Sequence, residues 1–156
     1  MGDGVHARLL YAKALSGARV ELGVQHGINQ VFVWQSIADA ELGLGHTTQG
    51  LDAIAKAQAI VNKIPDQTYG PLDRGNDAAL YAKAGRPDLA VPLLAKALAS
   101  PGIGVSYSPM LLWIDPSWDP IRNDRSFQAL LQKYAKYRPA AASTTIAPAA
   151  ATSGVQ

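Results

Sequence analysis

Apolar positions along the chain recur at the three-and-four stride of a helix that buries one face: Leu10, Ala14, Ala18 and Leu22; Leu51, Ile54, Ala57 and Val61; Leu89, Leu93, Ala97 and Leu98. Each stretch contains the same local pattern, a large residue, then Ala-Lys-Ala, then a second large residue: Tyr11 to Leu15, Ile54 to Gln58 and Leu94 to Leu98, with the lysines 43 and then 40 residues apart. Self-similarity at such a period predicts a stack of like helical units, none of which can bury its apolar face alone. The small alanines on that face let paired helix backbones approach closely.

Another helical stretch precedes the second and third copies, and each ends in glycine. Phe32, Trp34, Ile37, Ala38 and Leu42 lead into Gly43-Leu44-Gly45, and Leu72, Ala78, Leu80, Tyr81 and Ala84 lead into Gly85. A glycine just past a helix end adopts the left-handed conformation that closes the helix. Thr47-Thr48 are cap candidates for the next helix in one case, and Pro87 is a first-turn residue in the other. The pattern predicts a helical hairpin over 29–64 and a second over 71–100, separated by a loop from Pro65 to Pro71. Pro92 lies inside the last of these helices, near its start, and predicts a slight bend. The first copy, over 5–23, has no such partner before it and reads as an orphan second helix whose mate lies upstream.

The period breaks after Ser100-Pro101-Gly102. A short apolar run, Met110 to Ile114, a pair of turns, Asp115 to Pro120, and a last helix capped by Asp124 and running to about Tyr137 make a closing segment over 110–137. Phe127, Leu130, Leu131 and Tyr134 are its predicted buried face, and Trp118 a buried anchor. Terminal units of a helical stack are atypical because they close the core against water. From Pro139 to Gln156 the chain has neither acid nor aromatic residue and reads as a disordered tail.

Charge and composition narrow the functional classes. Fourteen basic against twelve acidic residues leave a net charge of +2, too weak and too dispersed to argue for nucleic acid or an anionic membrane. Without cysteine there is no thiolate metal site, disulfide or cysteine nucleophile. Neither a signal peptide nor a membrane span is legible, which favours the cytoplasm.

The residues Trp34-Gln35-Ser36-Ile37-Ala38 with Glu41 and Gly45 resemble the first helix of a tetratricopeptide (TPR) repeat, and Tyr81, Gly85, Ala90, Leu94, Ala97 and Leu98 resemble the second half of that pattern. The departures are Ala38 where the family prefers glycine, Glu41 where it prefers tyrosine and Gly50 where it prefers alanine. The period also lies nearer that of HEAT repeats; the tight glycine turn favours the tetratricopeptide reading. Ile114 to Leu131 resembles the closing segment of tetratricopeptide regions in bacterial multidomain proteins, where it follows a kinase, winged-helix or cyclase domain, with Arg125 here at a place where proline is common. The resemblance implies an all-α, right-handed solenoid of stacked hairpins, over about 5–137, with a role in protein contacts or regulation of a larger signalling protein. It implies neither catalysis nor a cofactor.

Other candidate chemistry gives way to structural readings. His6, His26 and His46 lack a second ligand at i+3 or i+4 and read as solvated surface histidines. Gly102-Ile103-Gly104 lacks the third glycine of a phosphate loop, because Tyr107 stands there. Asp115, Asp119, Asn123 and Asp124 read as turn and cap residues rather than a cation loop. Trp113 and Trp118 read as a plug over the last hairpin, and Lys133, Lys136 and Arg138 as partners of a helix C-terminal dipole. The expected partner surface is the first-helix face of the two hairpins: Phe32, Gln35, Asp39 and Leu42 on one helix, Leu72, Ala79 and Lys83 on the other. That mixed face suits an apolar strand or helix of a protein partner, the protein's own upstream domain included. The competing expectations are a passive spacer attached to an upstream catalytic domain, and a face covered by the closing segment itself.

Overall fold

The computed structural model describes residues 3–63, 70–99 and 108–140, with the side chains of 3 and 70–73 excepted. The expected features within 64–69, 100–107 and 141–156, among them the glycine pair at 102 and 104 and most of the tail, lie outside the described residues. The described chain is all-helical: α1 (Asp3–Leu22), α2 (Ile28–Gly43), α3 (Thr47–Val61), α4 (Gly70–Lys83), α5 (Pro87–Ala99), the single turn α6 (Leu111–Ile114), a 3-10 helix (Pro116–Ile121), α7 (Arg125–Lys133) and a last 3-10 turn (Ala135–Tyr137).

Three pairings of comparable extent make up most of the packing between helices: α2 with α3, α4 with α5 and α1 with α2. The first two pairs are joined by the same backbone turn. Gly45 and Gly85 have φ of 86° and 66°, so an L side chain would be strained there. The amide of His46 donates to the Glu41 carbonyl at 2.8 Å and that of Arg86 to the Tyr81 carbonyl at 2.9 Å, while the two glycine amides donate to Leu42 and Ala82. This is the Schellman arrangement, which satisfies carbonyls that a helix end otherwise leaves unpaired.

Several local expectations are corrected. The N-cap of α3 is His46, not a threonine, and no side chain caps that end. Gly70 and Pro71, expected in the loop, stand in the first turn of α4, where the missing proline amide costs no hydrogen bond. Ala18 and Leu22 of α1 meet the core as expected, but Leu10 and Ala14 are exposed and Tyr11 and Leu15, one residue along, take their place. That stripe at 11, 15, 18 and 22 tracks the 3.6-residue period more closely than the one expected. The final α-helix stops at Lys133 and only a 3-10 turn reaches Tyr137. Pro92 sits within α5, which runs on to Ala99.

The closing segment covers the second hairpin: the 3-10 helix packs on α4 and α7 on α5. Trp118 and Phe127, 1% and 0% exposed, stack with ring centroids 6.0 Å apart and seal that end. Leu130 is buried with them, while Leu131 and Tyr134 are half-buried. Asp124 caps α7, accepting from the amides of Ser126 and Phe127 and from the Ser126 hydroxyl, and these bonds hold its carboxyl below the usual aspartate range. Asp115 caps the 3-10 helix through the Ser117 amide. Arg122 does what the sequence patterns did not suggest: its guanidinium donates to the carbonyls of Leu112 (2.9 Å) and Asp115 (2.8 Å) and to Asp119 Oδ1, closing the open C-terminal end of α6.

Candidate functional site

A groove of about 830 Å3 runs across α2 and α4, with Ala14 of α1 at one end and Pro116, Ser117 and Pro120 of the 3-10 helix forming its far wall. Of the residues expected on the partner face, Phe32, Gln35, Asp39, Ala79 and Lys83 line it. Leu72 belongs to α4, but its side chain lies outside the described residues. Leu42 does not face the groove. It packs the other way, over Gly50 of α3, where an added Cβ would stand 2.6 Å from the Leu42 Cγ. The close pairing of α2 with α3 claims that side chain.

The polar groups in the groove are tied to one another. Gln35, largely buried, donates from Nε2 to Oδ1 of the buried Asp77 at 3.0 Å and accepts from Asn76 Nδ2 at 3.3 Å, which links α2 to α4. A buried carboxylate requires such partners, since an unpaired one is strongly disfavoured. At the rim, Lys83 Nζ lies 2.6 Å from Asp39 Oδ1 and donates also to the Asp39 carbonyl at 3.0 Å and the Tyr11 hydroxyl at 3.3 Å. The Tyr11 ring lies flat over Gly43, where a Cβ would come within 2.5 Å of three ring carbons. Lys83 thereby joins α1, α2 and α4, and its charge is matched within the protein.

Behind the groove lies a second polar cluster. Glu41, buried, accepts from Arg19 Nη2 of α1 at 2.9 Å and contacts His46 Nδ1 at 2.7 Å. His46 is therefore a partner of a buried acid rather than a plain solvated residue. At the equivalent turn Tyr81 bonds the Gln58 side chain of α3, and burial, then the charge of Asp77, push its phenol above the ordinary value. His6 is exposed on α1, His26 lies in the turn before α2, and no group of three or more His, Asp or Glu among the described residues could hold a metal ion.

Sequence reasoning missed Ser36, Asn76 and the prolines of the far wall. The first two were within reach: Ser36 falls between Phe32 and Asp39, and Asn76 between Leu72 and Ala79, each on the same helical stripe. Pro116 and Pro120 lie beyond the repeat, so no register could have placed them. Trp113 packs half-buried against the core and also borders a separate cleft of about 440 Å3 with Arg122, Leu131 and Arg138. No helix among the described residues is long and apolar enough to cross a membrane. No family model, no curated protein and no solved structure matches the chain.

Proposed function

We propose that the chain is a protein-interaction module of the tetratricopeptide kind, a regulatory part of a larger bacterial signalling protein without catalysis of its own, and that its groove takes an apolar segment of a protein partner, the protein's own upstream domain included. The observation that carries this reading is the groove itself: a trough of about 830 Å3 across the first helices of both hairpins, with Phe32, Ala79, Leu80 and two prolines in its lining. Its charge state supports an apolar occupant. Lys83 is paired with Asp39 at 2.6 Å, so among the described residues that line the groove no cation is left uncommitted for a peptide carboxylate.

Because Lys83 also holds α1 to α4, reversing its charge would disturb the fold along with the groove. Ala79 is the cleaner probe, half-exposed in the middle of the trough. Peptides selected on the wild-type chain from an apolar twelve-residue library are expected to lose binding by about tenfold or more to Ala79→Arg, which corresponds to about 1.4 kcal/mol, while the melting temperature stays within about 2 °C. Equal binding by the folded variant would remove the groove as the partner site and leave the spacer reading.

A further inference from the structure

The last helix of the closing segment has two faces. Phe127 and Leu130 are buried on one, with Tyr134 half-buried beside them. On the other, Gln128, Leu131, Gln132 and Ala135, at spacings of three, one and three, line the cleft of about 440 Å3 that Trp113 borders. The turn that carries Trp113 is held in place, since its carbonyl accepts from Arg122 Nη1 at 3.3 Å. The closing segment also leaves apolar side chains in water: Met110 and Ile114, on either side of Trp113 in the sequence, are 43% and 54% exposed, and Tyr137 is 44% exposed.

Charge is distributed unevenly along the chain. Asp124 is its last acidic residue, and Arg125, Lys133, Lys136 and Arg138 follow with nothing of opposite sign after them. Among the described residues none of these four forms an ion pair. Lys133 and Lys136 lie over the rings of Tyr134 and Tyr137, at 5.6 and 4.9 Å from the centroids, in the last turns of helix where the carbonyl ends favour a cation. Arg138 makes no such ring contact. It stands in extended conformation just past the last 3-10 turn, fixed through its amide, which donates to the Ala135 carbonyl at 3.0 Å, and its side chain lines the cleft. The other cation of the cleft is fully engaged: Arg122 donates from Nε and Nη2 to Asp119, from Nη1 to the carbonyls of Leu112 and Trp113, and from Nη2 to that of Asp115. The cleft therefore sets an uncommitted guanidinium beside an aromatic and aliphatic wall.

We propose that this cleft is a second docking site and takes an acidic segment of a protein partner, with one large apolar side chain seated against Trp113, Leu131 and Ala135 and a neighbouring carboxylate paired with Arg138. A planar guanidinium holds a carboxylate through two parallel hydrogen bonds, and the half-buried indole beside it lowers the local dielectric and strengthens them. The volume suits one or two side chains, not a folded surface. A nucleic-acid strand is served less well. Its affinity comes from many phosphates met by cations along a track, whereas two of the four cations here already lie over tyrosines and Arg138 alone of the four lines the cleft. The site does not rest on the groove across α2 and α4, with which it shares no lining residue.

The test selects twelve-residue peptides from a fully randomised library on the intact chain, in the presence of an excess of Arg138→Glu, which keeps the groove and so removes peptides that bind there. Sequences with a large apolar residue flanked by Asp or Glu are expected to be enriched. The best of them, as a labelled synthetic peptide, is expected to lose binding by about tenfold or more to Arg138→Gln, a change at an exposed side chain that leaves the melting temperature within about 2 °C. It is expected to lose less than about twofold to Arg125→Gln or Ala79→Arg, and serine in place of its apolar residue is expected to cost about tenfold. Enrichment of no acidic sequence, equal losses to Arg138→Gln and Arg125→Gln, or indifference to the missing apolar side chain would overturn the proposal. A loss to Ala79→Arg would do the same by placing the peptide in the groove, and so would displacement of the peptide by an equal concentration of an eight-residue oligothymidylate, which would make the cleft a nucleic-acid site.

Discussion

The hairpins α2/α3 and α4/α5 close with one backbone turn, yet the residue that accepts its longest-range hydrogen bond is Glu41 in the first and Tyr81 in the second. Each choice follows from what the preceding helix offers. α1 presents Arg19, and a buried carboxylate is tolerable there because Arg19 and His46 both reach it. α3 presents Gln58, and a phenol needs only a neutral partner. The interior of each pair follows the same logic, with Leu42 over Gly50 in one and Ala82 with Ala90 in the other. A fixed backbone turn therefore tolerates two different chemistries, provided that volume and hydrogen bonding are matched locally. The hairpins differ also in their outer cover: the first has α1, whose far side is exposed, and the second has the closing segment sealed by Trp118.

The seal gives the largest expected effect. Trp118→Ala removes a fully buried ring and its stack on Phe127, and should cost about 3–5 kcal/mol in urea unfolding, with α7 losing hydrogen-exchange protection before α2 and α3 do. Uniform loss of protection would mean that the two hairpins unfold as one unit and that their difference in cover is immaterial.

A smaller effect tests the interior pairs. Gly50→Ala gains about 1 kcal/mol of helix propensity but forces a methyl group against Leu42, at a cost of about 1–3 kcal/mol, so a net loss is expected. Leu42→Ala in the same chain reproduces the Ala–Ala pair of the second hairpin. The double variant should be more stable than the sum of the single changes by about 1 kcal/mol, and strict additivity would deny that Leu42 and Gly50 form a coupled pair.

The smallest effect separates the two turn residues by pH. The folded-state pKa of Tyr81 is raised above 10.0, first by burial and then by Asp77. A raised value means that the folded chain holds this proton more tightly than the unfolded one. Its contribution is therefore complete below about pH 10 and is lost as pH climbs through the folded value. Tyr81→Phe is expected to cost about 1 kcal/mol at neutral pH, through the lost bond to Gln58, and to lose less stability than the wild type on passing to pH 11. Parallel alkaline unfolding curves would show that the Tyr81 phenol is no more tightly held than an exposed one.

Sequence alone determined the features that act over one turn of chain. The glycine turns at Gly45 and Gly85, the cap at Asp124, the helical character of α3 and α5 and the burial of Trp118 were all legible, because each depends on groups within a few residues or on plain apolarity; which face each of those helices buries was legible only in part, since α5 buries Ala90 and Leu94 where Leu89 and Leu93 were expected. Five of the expected groove residues were legible for the same reason, as a helical stripe. Tertiary structure alone decided where Leu42 turns, that Lys83 bridges Asp39 and Tyr11, that Gln35 holds Asp77 and that Arg122 closes α6. Most of these partners lie tens of residues apart, and Arg122 meets carbonyls seven and ten residues back along the chain. A long polar side chain can reach several neighbours from one helical position. Which of them it meets depends on how the helices are set against one another, a property of the packed core that no local period encodes.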